Sequence, residues 1–203
     1  MIYQYICVHH TGGLVEDEFA STANLTAYHI NKAHQKKWDF KSSLNYYGGY
    51  NFFIDKEGVI TQFRSIGEET AAQKGHNWDV ISICLAGNFT AGIDTPTDKQ
   101  KETLKQLTIS LLNKNISYLS ITPDAKLDIK YQNIVPHRYF NPTSCYGAGL
   151  NDNWARTLLD SYLQDKLGLL KKLYDLYLQL VELRNKIKLG SSQKDKCELW
   201  QRD

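Results

Sequence analysis

Three observations predict an α/β domain, a mixed central β-sheet flanked by helices, followed by a long C-terminal amphipathic helix. Strand-like runs alternate along the chain with segments whose apolar residues recur at helical spacing. The run from Val80 to Phe89 is apolar almost throughout, as a central strand covered on both faces must be. Beyond residue 159, leucines repeat at alternating steps of four and three, the spacing of a coiled-coil seam. With 203 residues and 42% hydrophobic content, the chain is long enough to bury one sizeable core. The expected divisions are a domain over 1–158, a helix over 159–189 and a polar tail over 190–203.

The elements follow in order. Ile2 to His9 is rich in β-branched and aromatic residues and reads as a strand ending at the Thr11-Gly12-Gly13 turn. Leu25, Tyr28, Ile30 and Ala33 place a helix over about Asn24 to Lys37, with Thr22 or Asn24 as its cap. Tyr46 to Ile54 and Val59 to Phe63 flank a short turn that ends in Gly58, the pattern of a β-hairpin. The buried strand comes next, and Thr97 or Asp98 opens a second helix that reaches about Asn113. In the last helix Leu169, Leu173, Leu176, Leu180, Leu183 and Ile187 form the seam. Two uses of it stay open: packing against its own domain, or association with a second copy or a partner helix across residues 160–189.

Composition excludes several classes. Twenty-four basic residues against 22 acidic give a net charge of +2, too little field to attract nucleic acid or an anionic membrane. No run of about 18 apolar residues exists for a membrane span. The N-terminal residues lack a basic segment followed by an apolar stretch, so no cleavable signal peptide is expected and synthesis is expected to leave the chain in the cytoplasm. Cys7, Cys84, Cys145 and Cys197 form no C-x-x-C pair and no dense disulfide pattern. Cys7 and Cys84 sit in strand-like runs and read as small buried hydrophobes.

Two distant segments carry the chemistry: Val8-His9-His10-Thr11 and His137-Arg138-Tyr139-Phe140-Asn141-Pro142-Thr143-Ser144-Cys145. A histidine at a strand end, with a histidine and a cysteine eight residues apart on an irregular segment, offers three ligands to one divalent ion such as Zn2+ and leaves a fourth position for water. That open position distinguishes a catalytic zinc from a structural one. His9 and His10 point to opposite faces of a strand, so only one of them can face the site. A Cys-His hydrolase uses His137 and Cys145 without His9, and a buried, hydrogen-bonded histidine is an alternative at any one position.

Four segments taken in order, Val8-His9-His10-Thr11, Gly49-Tyr50-Asn51-Phe52, Ile81 to Phe89 and His137-Arg138 to Pro142-Thr143-Ser144-Cys145, resemble the zinc-dependent N-acetylmuramoyl-L-alanine amidases. That family includes the phage lysozyme-type amidases and the peptidoglycan recognition proteins. The resemblance spans about residues 3–160 and implies a mixed sheet with zinc in a surface groove. It implies His9, His137 and Cys145 as the ligands, and Tyr50 as the tyrosine beside the metal that orients water or stabilises the oxyanion. Thr143, two residues before the cysteine, occupies a position where catalytic members carry Lys or Thr. His34 resembles a histidine that lines the groove; Thr11 and Asn88 fall at groove or ligand-supporting positions. Many members carry His-Ala before the Lys-Gly of one loop, whereas this chain has Ala72-Gln73 before Lys74-Gly75, and His76 stands nearby to compensate.

The implied activity is hydrolysis of the amide between N-acetylmuramic acid and L-alanine, on peptidoglycan or a soluble muropeptide. A phage-type endolysin and an enzyme that trims recycled wall fragments both fit, and the terminal helix tilts the reading to the endolysin. The rival is a muropeptide-binding protein without catalysis, which the presence of Cys145 disfavours.

Overall fold

A computed structural model describes residues 1–12 and 25–199, with side chains through residue 185. The chain divides into two compact units, Met1–Leu159 and Asp160–Asp203. The first has the expected mixed α/β architecture: among the described residues, a five-stranded sheet with helices, beside a small two-stranded sheet.

The opening strand is broken. Strand β1 (Ile2–Tyr3) leaves the main sheet at Gln4 and pairs in parallel with β6 (Lys126–Leu127), while β2 (Tyr5–His10) enters the main sheet. The hairpin is shorter than its apolar pattern: β3 (Phe52–Ile54) and β4 (Ile60–Gln62) pair in antiparallel register around Gly58, whose φ of 79° suits a residue without a side chain. Tyr46 to Asn51 is irregular instead of extended, because Arg64 donates from Nε to the Gly48 carbonyl at 2.7 Å and ties that stretch down.

Strand β5 (Val80–Leu85) is buried along its whole length and pairs in parallel with both β2 and β3. Strand β7 (Ile134–Pro136) completes the order β4-β3-β5-β2-β7. Alternation along β2 divides the layers. Ile6 and Val8 join Ile81, Ile83 and Leu85 and, from helix α2 (Asp98–Leu112), Leu104, Leu107 and Leu111. Burying each such side chain stabilises the fold by roughly 1.5–3 kcal/mol. On the opposite face Phe53, Phe63 and Cys84 pack with Leu25 and with Ile30 of helix α1 (Ala27–Trp38). That face is mixed in character: Asn51, Gln73 and Ser82 are buried among its apolar residues.

Helix α1 begins later than its sequence pattern, at Ala27, because Thr26 takes the cap and its amide donates to His29 Nδ1 at 3.1 Å. Thr22, Asn24 and Gly13 lie outside the described residues. Helix α2 is capped as expected: the Gln100 amide donates to Thr97 Oγ1, and the Thr97 amide donates to Gln100 Oε1, each at 3.1 Å.

After a short helix α3 (Trp154–Thr157), the second unit is helix α4 (Asp160–Leu199). It continues through the Gly190-Ser191-Ser192 stretch expected to start a polar tail. Glycine costs a helix only about 1 kcal/mol and serine less, and no proline interrupts it. Ile187 lies beyond the described side chains. No helix among the described residues is long and apolar enough to cross a membrane.

Candidate metal centre

Register builds the site. Strand β7 pairs with β2 through Cys7↔Val135 and Val8↔Pro136, so the next step along the ladder sets His137 beside His9, with ring centroids 4.5 Å apart. Both stand at the carboxyl ends of parallel strands, where open α/β sheets place their ligands. The chain then loops back to bring in Cys145. Arg138 closes that loop: its amide donates to the Cys145 carbonyl at 3.2 Å, and its guanidinium donates to the carbonyls of Gly147 (3.1 Å) and Leu150 (2.7 Å). Gly147 allows the close turn, since a Cβ there would lie 2.1 Å from the Phe89 carbonyl oxygen.

Donor atoms of His9, His137 and Cys145 all lie within 4.8 Å of one another, with Cys145 Sγ 3.8 Å from His9 Nδ1. Tetrahedral zinc with Zn–N near 2.0–2.1 Å and Zn–S near 2.3 Å needs donors about 3.4–3.6 Å apart, so a small contraction suffices.

The tautomers agree with this use. His9 Nε2 meets Gln73 Oε1 at 3.2 Å, and His137 Nε2 meets Asn141 Oδ1 at 3.2 Å. An amide oxygen only accepts, so each ring carries its proton on Nε2 and offers Nδ1. Both amides are oriented in turn. Ser82 Oγ donates to Gln73 Oε1 at 2.9 Å, and Asn141 Nδ2 donates to the Lys74 carbonyl at 3.2 Å. One loop, Ala71 to Asn77, therefore supports both histidines.

Burial, aided by His137, holds His9 well below the ordinary histidine range, and burial also lowers His137. Both rings are neutral at physiological pH, the form that ligates metal. Burial pushes the Cys145 thiol up to about 11, although the His10 amide, donating to Sγ at 3.4 Å, and Arg138 oppose the shift. An incoming metal ion must displace that proton, and the amide is placed to support the thiolate.

The remaining expected residues fall into three groups. Tyr50 lies against His9 and His34, with ring centroids 5.2 and 5.5 Å away. Burial, with a contribution from a hydrogen bond to Cys84, raises its phenol well above the usual tyrosine range, so it is protonated at neutral pH. His34 accepts from the Gly49 amide at 2.8 Å and stacks near Trp38, which fixes the loop that carries Tyr50. Thr143 Oγ1 accepts from the Cys145 amide at 3.3 Å and keeps its own proton to donate.

Thr11 and Asn88 form a separate cluster at the ends of β2 and β5. Thr11 Oγ1 bonds both backbone groups of Gly87, donating at 3.1 Å and accepting at 2.9 Å, while Asn88 Oδ1 accepts from the Thr90 amide and hydroxyl. His76 packs on Phe140 at 4.5 Å and lies 3.3 Å from Asp79. His10 faces the other side of the sheet, as alternation requires, and accepts from the Phe89 amide at 3.0 Å.

Sequence reasoning missed Gln73 and Asn141 as supports. Gln73 registered only as a departure from a His-Ala pattern, and nothing in spacing shows that it touches His9.

A sheet that carries two histidines at the ends of neighbouring parallel strands, with a cysteine brought beside them by the following loop, defines an α/β protein with a three-donor site suited to a divalent metal. The sequence family N-acetylmuramoyl-L-alanine amidase (Amidase_2) matches residues 1–148, and the chain belongs to that family. No curated protein matches the sequence. Among solved structures, the N-acetylmuramoyl-L-alanine amidase LysC from Clostridium intestinale URNW is similar at 25% identity and a TM-score of 0.54, covering 78% of this chain and 85% of its own. The endolysin amidase LysCS from the same organism is 26% identical at a TM-score of 0.50, covering 72% and 76%. Drosophila PGRP-LB shares the fold at 20% identity and a TM-score of 0.52, covering 79% and 81%.

Proposed function

We propose that the protein is a zinc-dependent amidase that cleaves the N-acetylmuramoyl-L-alanine bond of peptidoglycan. Family membership and the endolysin neighbours support action on, or binding to, peptidoglycan. The observation that carries catalysis is the convergence of His9, His137 and Cys145, three donors with each histidine's proton turned away onto a side-chain amide. Such a set leaves a coordination position open, and zinc bound there would polarise a carbonyl and lower the pKa of water towards ~7.

The chain's own groups supply the rest. Tyr50, protonated and against His9, would exchange its hydrogen bond to Cys84 for one to the charge developing on the scissile carbonyl oxygen. Removing one such donor typically costs a hundred- to a thousand-fold in rate. Thr143 donates its hydroxyl to substrate or attacking water, with its oxygen steadied by the Cys145 amide. His34 positions Tyr50 through the Gly49 amide. Thr11, His76 and Asn88 are assigned to the groove that holds the glycan and stem peptide.

Digestion of purified peptidoglycan tests the reading. Wild-type protein is expected to release stem peptides with a free L-alanine N-terminus and to leave the lactyl group on muramic acid. Tyr50→Phe is expected to retain zinc and to lose a hundred-fold or more in rate. Binding to peptidoglycan without release by zinc-loaded wild-type protein would make it a recognition protein instead.

A further inference from the structure

Helix α4 presents more apolar surface than one seam accounts for. Leu169, Leu173, Leu176, Leu180 and Leu183 recur at steps of four and three. Leu167, Leu170, Tyr174, Tyr177 and Val181 recur at steps of three and four with the same seven-residue period. All ten side chains are between 37% and 64% exposed. At about 100° per residue, the two rows lie roughly 100–120° apart around the helix. Lys171, Asp175 and Glu182 fall on the opposite face.

Two rows need two neighbours. A leucine-sized side chain removes about 100 Å² of apolar surface from water when it is buried at ~25 cal/mol/Å², so the ten present on the order of 1,000 Å². The largest exposed patch on a monomer is typically about 300–600 Å², and a stable interface buries about 800 Å² on each partner. A two-stranded coiled coil would cover one row and leave the other in water. The rows share a period and span the same turns, so each matches the other in length and register, and one chain carries both halves of an interface.

We infer that α4 assembles with further copies of this chain into a closed bundle of more than two parallel helices. The leucine row of each copy packs on the Leu167-to-Val181 row of the next. Such an interface joins unlike patches and repeats around a ring, and the charged face turns to water.

Light-scattering mass of the full chain at micromolar concentration tests this. Wild type is expected to weigh more than twice the 23.3 kDa chain. Leu173→Glu with Leu180→Glu removes one row, and Tyr174→Glu with Val181→Glu removes the other; each double variant is expected to be monomeric. An equal mixture of the two has one intact row from each chain and is expected to form a two-chain species. A monomeric or dimeric wild type overturns the proposal, the monomer in favour of docking within the chain or on an unrelated partner. A Tyr174→Glu, Val181→Glu variant that remains dimeric overturns it in favour of a two-stranded coil. The wild-type mass decides even if a variant loses helicity by circular dichroism.

Discussion

Gln73 supports the three-donor cluster without supplying a donor of its own. Its oxygen holds both His9 Nε2 and Ser82 Oγ, while its Nε2 is buried and finds no partner among the described residues. An unsatisfied buried donor costs about 1–3 kcal/mol, so the fold carries this amide at some expense to stability. Gln73→Leu is expected to weaken zinc binding about 10- to 100-fold, read by competition with a chelator. Unchanged affinity would show that the amide does not orient His9. His34 has a different signature. Burial first, then Lys37 and Arg64, lowers its pKa to about 4. The unfolded chain takes up the proton near pH 6.5 and the folded one near 4, so this histidine contributes no penalty above 6.5 and removes stability progressively as pH falls to 4. Between pH 7.5 and 5, wild type is expected to lose about 2 kcal/mol more than His34→Gln in urea unfolding, at 1.36 kcal/mol per pKa unit. Equal losses would refute it.

At the scale of elements, α2 tests the capping argument. Its Thr97 and Gln100 side chains each accept from the other's amide, and Gln100 Nε2 also donates to the Ala86 carbonyl at 2.9 Å, which ties the helix start to the end of β5. Thr97→Ala is expected to remove about 1 kcal/mol, a fall in Tm of about 2–4 °C by calorimetry. A shift below 1 °C would mean that Gln100 alone holds the end. Both the central strand and α2 were legible because their signals are local: an unbroken apolar run and a polar cap before a helical repeat. The ends of other elements were not. The opening strand breaks at Gln4 because β1 pairs with Lys126 and Leu127, more than a hundred residues away. Tyr46 to Asn51 has strand composition, yet its shape follows from buried Arg64, which bonds the carbonyls of Gly48, Glu69 and Phe40. Propensity cannot register a distant cation.

For the whole molecule, the same division between local and long-range information holds. His9, His137 and Cys145 could be named from sequence because residue type, strand alternation and the family pattern converge on them; β2–β7 register sets the two histidines side by side and the loop closed by Arg138 adds the cysteine. The supporting amides could not, since Gln73 and Asn141 reach the histidines only once the sheet and the Ala71-to-Asn77 loop have formed. The second apolar row of α4 is harder to read from sequence, because the leucine seam by itself satisfies the heptad pattern. The proposed function reduces to one claim: His9, His137 and Cys145 bind a single zinc ion that keeps one coordination position open. Zinc titration of chelator-stripped protein against peptidoglycan tests it most directly, with calorimetric Tm read in parallel. Wild type is expected to regain full amidase activity at one equivalent and to rise in Tm as the ion binds the folded state, while Cys145→Ser regains neither. Full activity in stripped wild type, or in Cys145→Ser, would contradict the account.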